Sequence, residues 1–264
     1  AVLFTQGVNI LLNLFFGPAV NAARGIAVQV QGAVTQFSTN FQTAINPQIT
    51  KSYAVGDYAY MHSLIFHSSK FTFLLLATIS FPVLLETEMI LQLWLETVPN
   101  YTAVFVRLML CTTIIDAMAG AFMVSAQATG AVRVYQSVVG GILLTIVPVS
   151  YIVLKMGAEP WSVFIVHLCV CILAFAVRLF ILCRMIHLSL SGYFTKVLLR
   201  CMGVLIIALP LPLILLYFLS DTFINSIMVC LSGLLAMLFS SYVIGLVSNE
   251  RKFIKDKILL FLKL

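Results

Sequence analysis

The polar side chains that could bind a solute lie on the second of the predicted helices, between residues 22 and 45. One set recurs at spacings of seven, four and three residues and so shares a helical face: Gln29, Gln36, Asn40 and Thr43. We call this set the outer strip. An adjoining set, the inner strip, consists of Gln31, Thr35, Ser38 and Gln42. The first predicted helix adds three amides at similar spacing: Gln6, Asn9 and Asn13.

Two interpretations of these polar faces remain open. The first is hydrogen bonding between helices, which contributes about 0.6 kcal/mol per bond on average. The second is a water-filled cavity that binds a polar solute, since amides both donate and accept hydrogen bonds as sugar hydroxyls require. The polar side chains outnumber what packing needs. They therefore predict a substrate cavity with these lining residues: Gln6, Asn9, Asn13, Gln29, Gln36, Asn40 and Thr43.

Ionisable residues inside apolar segments are the next candidates. Asp116 lies near the middle of the fourth predicted helix, where a carboxylate is costly; it is a candidate for proton or cation coupling, or for a structural hydrogen bond to a neighbouring helix. Arg24 and Arg107 fall near the predicted outer face, and these two and Arg178 could each offer a fork of donors to phosphate oxygens. Arg178 is expected to snorkel toward lipid head groups.

Catalytic signatures are missing from the sequence. It contains no G-x-x-x-x-G-K-[ST], no G-x-S-x-G and no H-E-x-x-H, and its histidines lack the spacing of metal ligands. We therefore expect a protein that is not an enzyme and uses no cofactor and no metal. The sequence has no basic block with interleaved aromatic residues, so we expect no nucleic acid as partner.

The composition requires a membrane to position these residues. Of the 264 residues, 62% are hydrophobic and 9% are charged, whereas soluble domains are about 25% charged. Apolar runs near the roughly 20 residues that cross a bilayer as a helix predict an all-α integral membrane protein, a polytopic bundle of about eight transmembrane helices. They are predicted at residues 1–16, 22–45, 71–95, 103–126, 132–154, 161–182, 197–219 and 223–247.

Lysine and arginine alternate between the predicted connections. The cation-rich ones include the connection over residues 48–69, with Lys51 and the adjacent Lys70, and the C-terminal tail, so the positive-inside rule predicts a cytoplasmic C-terminus. Residues 249–264 are predicted to form an amphipathic helix on the anionic cytoplasmic leaflet. Because the sequence starts inside an apolar stretch without Met, we expect a fragment whose upstream part is missing.

Four stretches of the chain resemble a known family: residues 7–27 (GVNILLNLFFGPAVNAARGIA), 40–54 (NFQTAINPQITKSYA), 91–99 (LQLWLETVP) and 128–136 (ATGAVRVYQ). They are similar to the second half of the Wzx-like O-antigen and capsule flippases, lipopolysaccharide biosynthesis proteins of the multidrug/oligosaccharidyl-lipid/polysaccharide (MOP) superfamily. The resemblance is strongest over residues 7–136.

The resemblance implies a MATE-like transporter with two helix bundles around a central cavity. Residues 1–184 would form the C-terminal six-helix bundle, with its first helix truncated, and residues 185–248 two additional transmembrane helices. The implied function is export of an undecaprenyl-diphosphate-linked oligosaccharide across the bacterial inner membrane by alternating access, for surface polysaccharide biosynthesis. The implied partners are that lipid-linked oligosaccharide, membrane lipids, the missing N-terminal half, and other polysaccharide-assembly membrane proteins. With such a substrate, Arg24 and Arg107 become the candidates for binding its diphosphate.

Three other functions account for the sequence less well. A MATE-type drug or cation antiporter would need a clear acidic site in the cavity, for which Asp116 alone is weak support. A membrane glycan polymerase or transferase would need large outer loops with catalytic residues, and the predicted outer connections are short. A purely structural subunit does not account for the polar second helix. Half of a two-bundle transporter lacks one cavity wall, so residues 1–264 alone are expected not to transport.

Overall fold

The structure is a computed structural model that describes residues 2–219, 222–248, 250–252 and 255. Within these ranges every regular element is a helix. The helices are α1 (Val2–Phe16), α2 (Pro18–Val55), α3 (Tyr58–Leu85), α4 (Thr87–Trp94), α5 (Thr102–Met118), α6 (Gly120–Ala128), α7 (Val132–Leu144), α8 (Ile146–Lys155), α9 (Ser162–Ile186), α10 (Leu190–Tyr193), α11 (Leu199–Ala208), α12 (Pro210–Phe218) and α13 (Phe223–Ser240). Two π-helical turns, Phe194–Leu198 and Ser241–Gly245, follow α10 and α13.

The described part of the chain contains six segments long and apolar enough to cross a membrane: Tyr58–Leu85, Thr102–Ala128, Val132–Lys155, Ser162–Ile186, Leu190–Phe218 and Phe223–Gly245. The first two form the buried centre, and the other four expose most of their apolar side chains, as a lipid-facing surface requires. The predicted all-α, multi-pass membrane bundle is confirmed. The other two predicted spans correspond to α1 and α2. The apolar stretch of α1 is too short to be counted with these six segments, and α2 is too polar.

The connection predicted between the second and third helices is wrong. Residues 48–69 belong almost entirely to α2 and α3, which meet at a tight turn at Gly56 and Asp57. Gly56 adopts the left-handed conformation (φ 78°) that commonly ends a helix, and the Asp57 carboxylate caps α3 by accepting a hydrogen bond of 3.0 Å from the backbone N–H of Tyr60.

The predicted end of the second helix before Pro47 is also wrong, because α2 continues through this proline. Proline removes one helical hydrogen bond, here the one to the carbonyl of Thr43. Both residues lie on the exposed face of α2, so the unbonded carbonyl is not trapped in the packed interior.

Four other predicted helices are divided. The third ends at Leu85 and is followed by α4, while the fourth, fifth and seventh break at Ala119, Thr145 and Leu209. The break at Leu209 directly precedes Pro210, the first residue of α12, where a missing N–H costs nothing.

The fully buried Tyr193 holds the C-terminal helices onto the bundle. Its ring packs edge-on against Phe122 of α6 (centroids 5.3 Å apart) and against Phe66 of α3 (5.8 Å). Phe175 of α9 completes the cluster, 6.3 Å from the tyrosine ring. The short α10 is therefore fixed by aromatic packing on three other helices. The predicted amphipathic tail lies outside the described residues, apart from residues 250–252 and 255.

The contact between α1 and α8 gives a prediction about stability. A Cβ added at Gly7 would lie 2.6 Å from Cγ2 of Val147, whose branched side chain has little freedom to move away. We expect Gly7→Ala to destabilise the protein by about 1–2 kcal/mol through overpacking. The matched control is Gly32→Ala on α2, where a Cβ meets open space and should stabilise by about 0.5–1 kcal/mol. Thermal unfolding in detergent measures both. Equal shifts for the two variants would contradict the close α1–α8 contact.

Candidate functional site

A polar cavity of about 400 Å³ lies between α2, α5, α6 and α9. The inner strip of α2 forms one wall, and the opposite wall carries Asp116 and Arg178. The lining residues are Phe4, Gln31, Thr35, Ser38, Thr39, Gln42, Thr112, Thr113, Asp116, Ala117, Gly120, Leu143, His167, Cys171 and Arg178. The wall that α5 and α6 form belongs to one of the six segments long and apolar enough to cross a membrane.

Two amides of the inner strip tie α2 to α5. The Gln31 side-chain amide donates a 2.8 Å hydrogen bond to Oγ1 of Thr113, and the Gln42 amide donates one of the same length to the backbone carbonyl of Ala117. An ideal Cβ on Gly120 would overlap the Gln42 carboxamide, so the glycine leaves room for this contact. Of the two interpretations given for the polar faces, these two amides of the inner strip fit the first, hydrogen bonding between helices.

Asp116 forms an ion pair with Arg178 across the cavity. The guanidinium Nη1 of Arg178 lies 2.5 Å from Oδ1 of Asp116. The arginine side chain is 14% exposed and the aspartate side chain 56% exposed, so the carboxylate faces the open cavity while the cation lies in its wall. The expectation that Arg178 snorkels to head groups is wrong. Asp116 bonds to a neighbouring helix as one alternative predicted, and its coupling role stays a prediction.

Arg24 belongs to a smaller neighbouring cavity of about 150 Å³. Its Nη1 donates to the side-chain oxygen of Asn9 at 3.2 Å, and its Nη2 donates to the backbone carbonyl of Thr5 at 3.1 Å. Three residues line both cavities: Phe4, Gln31 and His167. The structure therefore brings Arg24 and Asn9 together beside the polar cavity.

Arg107 lies elsewhere. Its Nε donates to Oγ1 of Thr87 at 3.0 Å, and its Nη2 is 3.7 Å from the Glu88 carboxylate, so it fixes α4 against α5. It shares neither a bond nor a cavity wall with Arg24. The structure does not bring the two diphosphate candidates into one site.

The outer strip is exposed and lies outside the wall of the polar cavity. Gln36 donates to Asn40 at 3.1 Å, and the Thr43 hydroxyl donates to the backbone carbonyl of Thr39. Gln29, Gln6 and Asn13 are exposed as well. Thr39 is exposed and lines the cavity, so the cavity adjoins the outer strip. Exposed amides at membrane depth need water or protein around them, because lipid offers no hydrogen-bond partners.

The sequence analysis did not predict two features. One is the pairing of Asp116 with Arg178, and the other is that the inner strip packs against α5 while the outer strip is exposed. The first had a usable signal: opposite charges in the interiors of two apolar helices are stabilised when they meet. The second had none, because spacing alone does not say which polar face points toward a neighbouring helix.

Comparison of the chain with models of known protein families, with curated proteins and with solved structures finds no match. The side chains described above and their contacts therefore supply the support for a function.

Proposed function

We propose that the protein is a flippase for a lipid-linked saccharide, an undecaprenyl-diphosphate-linked oligosaccharide exported across the bacterial inner membrane for surface polysaccharide biosynthesis. The observation that carries this proposal is the exposed outer strip of α2 beside a polar cavity, in a chain whose other long helices are apolar enough to cross a membrane. A lipid-facing helix would not retain such a row of amides. A saccharide path supplies the hydroxyl partners that the amides need.

The two strips divide the work in this proposal. Gln31 and Gln42 already bond to α5 and hold α2 in place. Gln36 and Asn40 bond only to each other among the described residues, so both retain free donors and acceptors. A glycan moving along α2 exchanges hydrogen bonds with the outer strip, and alternating access requires a second wall, which the proposed N-terminal half supplies.

Arg24 is the better of the two diphosphate candidates. In the described part of the chain its guanidinium contacts two neutral acceptors and no carboxylate, so its charge is uncompensated. A diphosphate oxygen accepts a charge-assisted bond that a neutral carbonyl cannot match. Arg107 is already next to Glu88 and is assigned a structural role.

A drug or cation antiporter is the second candidate, favoured by the exposed carboxylate of Asp116 in the cavity. In either proposal the ion pair with Arg178 has to open before Asp116 binds a cation, because the guanidinium lies 2.5 Å from the carboxylate. In the leading proposal the pair opens and closes as the bundle changes conformation, with Asp116 carrying the coupling proton or cation. The remaining proposed features are a cytoplasmic C-terminus and polysaccharide-assembly proteins as partners.

The proposal is tested by expressing the natural full-length protein in a flippase-null bacterium. We expect surface polysaccharide to return, measured by gel analysis of extracted glycan, because the protein moves the lipid-linked intermediate. A matched strain carrying the empty vector sets the baseline. If drug resistance rises instead and surface glycan stays absent, the antiporter replaces the flippase.

A further inference from the structure

A second polar cavity, which we call the basic pocket, lies at the end of the bundle where α2 and α3 meet. Its volume is about 460 Å³. Residues of α3 form one wall of the pocket. The segment that runs from Ser189 through α10 and the first π turn into α11 forms a second wall, and Val247 forms a third. The side chains that line it are Ala59, His62, Ser63, Phe66, His67, Lys70, Ser189, Lys196, Arg200 and Val247. It shares no lining residue with the polar cavity.

Lys70 is the most deeply buried cation of the pocket, with 3% of its side chain exposed. The sequence analysis placed it at the end of a polar connection, but it is the thirteenth residue of α3. Its Nζ donates to both oxygens of the Glu250 carboxylate, at 2.8 and 2.6 Å. Nε2 of His67 lies 3.0 Å from the same carboxylate, and the backbone N–H of Val247 donates to it at 2.7 Å.

The carboxylate of Glu250 thus marks a position that accepts an anionic oxygen group. Partial burial by itself would raise the pKa of Glu250, but hydrogen bonds from His67, Lys70 and the Val247 N–H, with the Lys70 charge, lower it to about 2. Glu250 is therefore ionised at any physiological pH. Several donors converging on one carboxylate is the arrangement with which proteins also bind phosphate oxygens.

The other two permanent cations of the pocket have no carboxylate partner among the described residues. Lys196 Nζ lies 5.9 Å from the centroid of the Phe66 ring. Arg200 has one hydrogen bond, to the backbone carbonyl of Ile244 at 3.5 Å. Within the described part of the chain, Lys70, Lys196 and Arg200 therefore have one carboxylate partner between them, which leaves the pocket with excess positive charge. Such an excess in a partly enclosed cavity attracts an anion.

We propose that the basic pocket binds a phosphate group, and that Glu250 occupies the Lys70 end of the site and competes with it. A phosphate offers several oxygens to the three cations, and Ser63 and Ser189 line the same space. The phosphate belongs either to an anionic lipid head group or to a soluble phosphate compound. This inference does not depend on the proposed transport, since no residue of the polar cavity or outer strip takes part.

The test uses the natural full-length protein, purified in detergent, with pyrophosphate as the soluble probe at constant ionic strength. We expect Glu250→Gln to bind pyrophosphate about tenfold more tightly than wild type, because the competing carboxylate is neutralised. Arg200→Gln and Lys196→Gln are each expected to weaken binding about tenfold, the effect of losing one charge-assisted bond. Lys196 is exposed and Arg200 half-buried, so both variants should fold. The matched control is Arg133→Gln, an exposed cation outside the pocket, which should leave affinity unchanged.

A second arm identifies the source of the phosphate. The same variants are placed in phosphatidylcholine nanodiscs that contain a small fraction of fluorescent phosphatidylglycerol, and the retained label is measured. A lipid head group is the ligand if Glu250→Gln retains more label than wild type and Arg200→Gln and Lys196→Gln retain less, with no pyrophosphate binding in detergent. A soluble compound is the ligand if pyrophosphate binding is strengthened by Glu250→Gln and weakened by Arg200→Gln and Lys196→Gln, with label retention equal in all variants. If neither readout distinguishes Arg200→Gln from Arg133→Gln, the proposal is wrong.

Discussion

Replacing Asp116 with asparagine, or Arg178 with glutamine, is expected to abolish export and to destabilise the protein. Removing one partner leaves the other charge unpaired at membrane depth. We expect a loss of about 2–3 kcal/mol, less than the roughly 3–5 kcal/mol of a fully buried pair, because Asp116 is half open to the cavity.

The doubly neutral variant Asp116→Asn/Arg178→Gln separates folding from function. With both charges removed no unpaired ion remains, so most of the lost stability should return, whereas export should not, because the coupling carboxylate is gone. Thermal unfolding in detergent and surface glycan at matched membrane levels measure the two effects. A double variant as unstable as the worse single variant would show that the pair does not exist. Full export by the double variant would limit the pair to packing.

The sequence predicts the membrane-spanning segments well and their ends poorly. Long apolar runs locate α9 and α13, which expose most of their apolar side chains, because burial in lipid depends on composition alone. The extension of α2 past Pro47 depends on which side of the helix is packed, and sequence does not reveal that side. The turn at Gly56 and Asp57 did carry a readable signal, a helix-ending glycine followed by a capping aspartate.

The candidate site was predictable in its residue types and not in its contacts. Amide spacing identified both strips of α2, and Asp116 was recognisable as a costly charge. That Arg178 pairs with Asp116, that Gln31 and Gln42 bond to α5, and that Lys70 bonds to Glu250, 180 residues away, depends on how distant helices pack. A single sequence contains no record of those pairings.

Replacing Gln36 and Asn40 together with leucine is expected to abolish export while leaving stability and membrane level unchanged. Their one described bond is to each other, on an exposed face, so removing both side chains leaves no partner unsatisfied. What disappears is the hydrogen-bonding surface that the proposed saccharide path requires. The readouts are surface glycan in the flippase-null strain and the thermal midpoint of the purified protein.

The matched control is the same kind of substitution in the inner strip of the same helix. Gln42→Leu removes the bond to the Ala117 carbonyl and places a branched side chain against Gly120. It should lower stability by about 1–2 kcal/mol, since interhelical bonds in membranes contribute about 0.6 kcal/mol and overpacking adds to the loss. Whatever export survives should track the amount of folded protein. Undiminished export by the Gln36/Asn40 double variant would remove the outer strip from the transport path. The exposed amides would then have to be covered by protein, because lipid cannot satisfy them.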